Sequence, residues 1–223
     1  MIVASRKSVA DLREQLAPYG RILIVGCGTC VTVCQVGGEK EVEVLGSALR
    51  MAFRIHGTPK EVLEATIERQ CENEFIREIA GTVAEADAIL SLACGAGVQA
   101  LAERFPGKAV FPGVDTQFIG ILEQQGIWAE KCIGCGNCRI GDFGGICPLT
   151  RCSKKLLNAP CGGARGGKCE VDPNLDCGWQ LIYERLKSIG ELDRLSAIQE
   201  MTDWSKSHEG GCRVIVREDQ RIS

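Results

Sequence analysis

The sequence predicts an α/β protein. Residues 1–128 read as a parallel-sheet domain of the flavodoxin or Rossmann kind. Residues 129–223 read as a cysteine-rich, loop-dominated module with C-terminal helices. Three observations predict this. As far as Trp128, short apolar runs alternate with amphipathic stretches, the pattern of parallel strands joined by right-handed helical crossovers. From Lys131 to Cys177 apolar periodicity vanishes, and glycine and cysteine dominate. Helical spacing then returns at Leu181, Ile182, Leu186 and Ile189 and stops at Gly190.

The first strand is Arg21 to Val25, an unbroken apolar run of the buried-strand type that ends at Gly26. Glu39 to Ile55 is a helix, with Val42, Leu45, Leu49 and Phe53 on one face. Val62 to Ile67 is the second strand. Glu72 to Ala84 is a helix with Phe75, Ile76, Ile79 and Val83 inward. Ala88 to Leu92 is the third strand, followed by a helix from about Val98 to Phe105. Lys108 to Phe111 is a short fourth strand, stopped by Pro112. In the tail, Arg213 to Arg217 has the composition of a strand.

Composition narrows the function. Of 223 residues, 45% are apolar, enough for a core, but aromatics are only 5%, so Val, Ile, Leu and Ala must build it. A net charge of −3 argues against general nucleic-acid binding, which wants a basic surface. Asp11, Arg13 and Glu14 interrupt any apolar leader, and no run approaches the roughly 18 residues of a membrane span. The expectation is a cytoplasmic protein without a membrane span. Fourteen cysteines in such a chain point to metal rather than disulfides, which belong to oxidising compartments.

Gly26-Cys27-Gly28-Thr29-Cys30 occupies the strand-to-helix turn where a dinucleotide fold places its phosphate loop. Val31 stands where the third glycine belongs, and Cys27 occupies the loop, so the dinucleotide reading fails. Cys27 and Cys30 follow the first strand, Cys71 the second and Cys94 the third. Parallel strands end on one edge, so these four thiols are expected to converge there on one cluster or one zinc. Cys34, one helical turn after Cys30, is a rival fourth ligand. The opposing reading makes Cys71 and Cys94 buried apolar thiols.

Cys132-Ile133-Gly134-Cys135-Gly136-Asn137-Cys138 is the strongest signal. Three thiols at spacings of three wrap one loop around a cubane corner, as in bacterial ferredoxins. Cys147-Pro148 supplies a proline-flanked fourth thiol, further along the chain than in ferredoxins, so it can serve either this cluster or another. Cys152, Cys161, Cys169 and Cys177 are enough for a second cluster. Spacing does not decide how these eight thiols are shared. Structural zinc is the alternative, although zinc usually takes separated C-x-x-C pairs. From Lys131 to Glu170 seven basic residues face two acidic ones, a local charge of +5 that suits anionic thiolate clusters. His56 falls near a helix end, where it is expected to act as a cap. Trp128 and Trp179 flank the module and are expected to pack against it.

The motif Cys132-x-x-Cys135-x-x-Cys138 continues into Gly145-Ile146-Cys147-Pro148, Cys152-x-Lys154 and Leu156-Leu157-Asn158-Ala159-Pro160-Cys161-Gly162-Gly163. Gly167-Lys168-Cys169-Glu170, Cys177-x-Trp179 and Tyr183-x-Arg185-Leu186 follow. This run resembles the small iron–sulfur subunit (MetV type) of bacterial methylenetetrahydrofolate reductase, the reductase C-terminal domain family. Cys27-x-x-Cys30-x-x-x-Cys34, Gly37 to Val42 and Ala93-Cys94-Gly95 are similar to its N-terminal half. Ala159 stands where that family is expected to have glycine.

The resemblance implies an electron-transfer subunit with two or three 4Fe-4S clusters and no flavin of its own. Its partners would be a flavin-containing catalytic subunit (MetF type), a TIM barrel reducing methylene- to methyltetrahydrofolate, and an electron-donor protein. It also implies a place in anaerobic carbon fixation through the folate methyl branch, the Wood–Ljungdahl pathway. A zinc-binding assembly subunit of the same complex, with no redox role, is the competing expectation. An independent enzyme with its own flavin is a third.

Overall fold

The computed structural model describes residues 1–221 and divides into two compact units, Met1–Ala129 and a second that begins at Glu130. In chain order the strands are β1 (Ile2–Arg6), β2 (Arg21–Cys27), β3 (Glu61–Ile67), β4 (Ala88–Ser91), β5 (Ala109–Pro112), β6 (Val114–Gln124) and β7 (Ile127–Cys132). The helices are α1 (Val9–Leu16), α2 (Cys30–Val33), α3 (Glu39–Ile55), α4 (Asn73–Glu78), α5 (Ala80–Glu85), α6 (Gly95–Arg104), α7 (Pro148–Arg151) and α8 (Gly178–Ser188).

In the first unit, β3, β2, β4 and β5 form one parallel sheet in that spatial order. Counted among themselves in chain order this is 2-1-3-4, the winding of flavodoxin-like sheets. The winding reverses between β2 and β4, and such switch points open a crevice at the carboxyl ends of the strands. Strand β2 shows why the sheet forms. Ile22 and Ile24 pack into a core with Leu49 and Phe53 of α3, while Leu23 and Val25 pack into another with Ile76 and Val83. A strand covered on both faces reads as a continuous apolar run, which is why this one was legible.

Helix α3 spans the predicted residues. Its start is fixed by the Glu41 carboxylate, which accepts the Gly38 N–H at 2.9 Å, and His56 is its C-cap residue. The helix predicted over Glu72–Ala84 is instead two, α4 and α5, broken at Ile79, which has φ −97° and ψ 5°. The inward face is kept, since Ile76, Ile79 and Val83 are all buried. Helix α6 begins at Gly95, directly after Cys94, earlier than periodicity places it. Pro112 lies inside β5 rather than beyond it, on an edge strand where its missing N–H costs no ladder bond.

A second sheet was not anticipated. Strand β1 pairs antiparallel with β6, and β7 lies on the other side of β6 across the two-residue turn Gln125-Gly126. Strand β6 is exposed along most of its length, so it lacks the buried alternation that marks a half-covered strand. Trp128 lies on β7, half-buried.

The second unit has a small core of Phe143, Trp179, Ile182 and Leu186, three of them on α8. Phe143 and Trp179 meet edge to face, with ring centroids 5.9 Å apart. Between Lys131 and Cys177 the regular structure is a single 3₁₀ turn at Ile140–Phe143 and the four-residue α7, apart from the last residues of β7. The strand expected at Arg213–Arg217 is absent. Val214 and Ile215 are 86% and 87% exposed, and β-branched residues do not make a strand without a neighbour to pair with. Among the described residues no helix is long and apolar enough to cross a membrane.

Candidate metal centre

All fourteen cysteines are free thiols. Those of the first unit gather where the sheet switches direction. Cys27 is the last residue of β2, Cys30 opens α2, Cys71 lies four residues past β3, and Cys94 is the N-cap residue of α6. Cys71 is exposed and Cys94 half-buried, so neither is a core thiol. Desolvation holds the Cys71 thiol above its ordinary pKa, and the nearby thiols of Cys27 and Cys94 push it the same way. Cys27 Sγ lies 3.7 Å from Thr29 Oγ1 and 3.8 Å from the Glu68 carbonyl.

Cys34 is different. It is 4% exposed, its thiol donates to the Ile2 carbonyl at 3.5 Å, and burial pushes its pKa up. It behaves as a core thiol packed against β1.

In the second unit, Cys132, Cys135, Cys138 and Cys147 line one cavity of about 310 Å³, closed by Phe143, Leu149 and Leu157 among others. The loop curls because Gly134 and Gly136 adopt φ +63° and +76°, a region in which a side chain is strained. The turn aims a backbone donor at sulfur: the Gly134 N–H points to Cys132 Sγ at 3.3 Å. Cys147 is the N-cap residue of α7.

The remaining four thiols are linked by close approaches. Cys161 and Cys177 line a second cavity of about 550 Å³. Gly178 sits against the backbone of Arg151 and Cys152; a Cβ there would lie 2.9 Å from the Cys152 nitrogen, so only glycine lets Cys177 come so near Cys152. Ser153 Oγ lies 3.4 Å from Cys169 Sγ, and this contact, with backbone N–H groups of Val171 and Asp172, holds the Cys169 thiol below its ordinary pKa. The Gly163 N–H points to Cys161 Sγ at 3.4 Å.

Among the described residues no three His, Cys, Asp or Glu side chains converge closely enough to hold a single metal ion. In the second unit Cys132, Cys135, Cys138 and Cys147 share one cavity, Cys161 and Cys177 a second, and Cys169 lines a third. Thiol sulfur with backbone N–H donors around it is the donor set that iron–sulfur clusters use, and each thiolate of such a cluster binds its own iron. The residues present fit that group.

Residues 111–205 match the family described as methylene-tetrahydrofolate reductase C terminal. The match covers all eight cysteines of the second unit's thiol groups and α8, and spans less than half of the chain. No curated protein and no solved structure matches the chain.

Two contributors to the site have no sequence signal. Ser153 reads as loop and Gly178 as an ordinary helix start. Only a three-dimensional neighbour reveals each.

Proposed function

We propose that this chain is an iron–sulfur electron-transfer subunit that passes electrons to the flavin of a partner methylenetetrahydrofolate reductase catalytic subunit. The observation that carries the reading is the single cavity lined by Cys132, Cys135, Cys138 and Cys147, inside the segment that matches the reductase C-terminal family. On this reading those four thiols hold one 4Fe-4S cluster, and Cys152, Cys161, Cys169 and Cys177 hold a second. Cys27, Cys30, Cys71 and Cys94 hold a third at the sheet edge. Cys30 takes the fourth place there because it is half-buried at the start of α2, whereas the Cys34 thiol is turned to β1, where it donates to the Ile2 carbonyl. When bound, such clusters accept and release one electron at a time.

The chain's own residues supply the setting. The N–H groups of Gly134 and Gly163 point to sulfur and stabilise negative charge on it. Cys94 and Cys177 sit at the N-termini of α6 and α8, where the helix dipole favours thiolate. Trp179, 5% exposed, packs beside Cys152 and Cys177 and keeps water from them.

The test is anaerobic purification of the full chain, with iron, acid-labile sulfide and zinc analysis and a visible spectrum before and after dithionite. Iron with matching sulfide and a reducible broad visible absorption supports the reading. A colourless protein with stoichiometric zinc replaces it with a structural metal role. Adding the flavin-bearing catalytic subunit then tests electron delivery, because its flavin must bleach only when the reduced chain is present.

A further inference from the structure

Gln70 is a polar residue with no exposed surface, placed at the switch point of the parallel sheet. The ladder between β2 and β4 stops at the pair Val25 and Ser91. Gln70 bridges the strands at that end. Its Nε2 donates to the Val25 carbonyl at 2.9 Å and to the Gly26 carbonyl at 3.0 Å. Its Oε1 accepts the Ser91 hydroxyl at 2.6 Å, and Ser91 Oγ in turn accepts the Ala93 N–H at 3.2 Å. Both amide hydrogens are used, as a buried amide requires.

The bonded groups lie one to three residues from candidate thiols. Gly26 precedes Cys27, Gln70 precedes Cys71, and Ala93 precedes Cys94. Helix α6, capped by Cys94, also rests on this side chain: a Cβ at Gly97 would lie 2.8 Å from Gln70 Cβ and 2.7 Å from Ala93 Cβ. A leucine would fill the same volume and satisfy the core. The amide adds three directed bonds to two chain segments, the ends of β2 and β4, and these two segments and its own each lead into a cysteine.

We propose that Gln70 is a positioning residue for the sheet-edge thiols: its buried amide ties the ends of β2 and β4 together and sets where Cys27, Cys71 and Cys94 stand relative to one another. This rests on the metal reading of that edge. Residues that orient ligands without touching the metal matter because a thiolate held in place need not be ordered when the metal binds.

The experiment uses the metal-free full chain under argon, titrated with an equimolar mixture of iron(II) and iron(III) with matching sulfide and then desalted. Protection of each cysteine from iodoacetamide is read by peptide mass spectrometry. In Gln70→Leu the iron concentration that half-protects Cys27, Cys71 and Cys94 is expected to rise about 10- to 100-fold. Protection of Cys132, Cys135 and Cys138 in the same sample stays as in the parent, which separates positioning from general loss of structure. Ser91→Ala, which keeps both donated bonds, is expected to show a smaller rise at the same three thiols, and it decides the matter if Gln70→Leu does not fold. Unchanged half-protection of Cys71 in the folded variants overturns the proposal, as does an equal loss at both thiol groups. If the parent chain loaded with iron and sulfide shows no protection at Cys27, Cys71 and Cys94, the metal reading of the edge falls first and the proposal with it.

Discussion

The indole N–H of Trp179 donates to the Leu156 carbonyl at 3.0 Å, tying α8 to the loop between Cys152 and Cys161. Trp179 is also the largest member of a core that contains only Phe143, Ile182 and Leu186 as other fully buried side chains. So small a core has no reserve. Trp179→Ala is expected to cost about 3–5 kcal/mol through lost contact area and the cavity it leaves. Trp179→Phe, which keeps most of the ring and loses the bond, should cost about 1 kcal/mol from the unmade hydrogen bond. Hydrogen exchange checks this locally: amides of α8 should exchange faster in Trp179→Ala while those of β2 keep their protection. Unchanged exchange in α8 would falsify the assignment of Trp179 as the centre of this core.

The thiol assignments separate two cysteines that look alike in composition. Cys135 lines the 310 Å³ cavity with three other thiols, whereas Cys212 is exposed and lines none of the cavities that hold candidate ligands. Cys135→Ser should remove the iron of one cluster per chain and block electron flow from external donors. Cys212→Ser should keep the parent's iron and spectrum. Full iron content in the first variant removes Cys135 from the ligand set, and iron lost in the second shows that the thiols are shared differently.

What could be read from the sequence followed from what each residue does locally. Strand β2 and helix α3 declare themselves because each buries a face with a fixed period, and Val25 or Leu49 needs no distant partner to be recognised as core. That Cys132, Cys135 and Cys138 line one cavity follows for a related reason, since they sit on one short loop of contiguous residues. Strand β6 was missed because its pairing with β1 joins residues such as Ile2 and Ile119, far apart in the chain, while its own surface stays exposed. Arg213–Arg217 failed in the opposite sense, having strand composition but no partner. The approach of Gly178, next to Cys177, to the backbone of Cys152 depends on the absence of a side chain there, and the proposed setting of the sheet-edge thiols rests on Gln70. Neither contact has a local period, so neither could be seen before the chain was folded.

Asp87 allows a test of the sheet's own electrostatics. One carboxylate oxygen accepts the Arg21 N–H at 2.8 Å and the Gly20 N–H at 3.0 Å, joining the start of β2 to the approach to β4. The Arg21 N–H is the first cause holding the Asp87 carboxyl below its ordinary pKa; the Gly20 N–H and the charges of Lys108 and Arg21 act in the same direction, against some desolvation. A carboxyl whose pKa is lower folded than unfolded binds fewer protons in the native state. Its contribution is therefore complete above the unfolded value and disappears as pH falls through the depressed folded one. Asp87→Asn should be less stable than the parent near neutrality, and the two urea midpoints should draw together as the pH is lowered through the carboxylate range. Added salt should narrow the neutral-pH gap only in part, because salt screens Lys108 and the Arg21 guanidinium but not the two backbone bonds. A gap that stays constant down to strong acid would mean that the protonated carboxyl accepts those N–H groups as well as the carboxylate does, and that the charge on Asp87 adds nothing to the sheet.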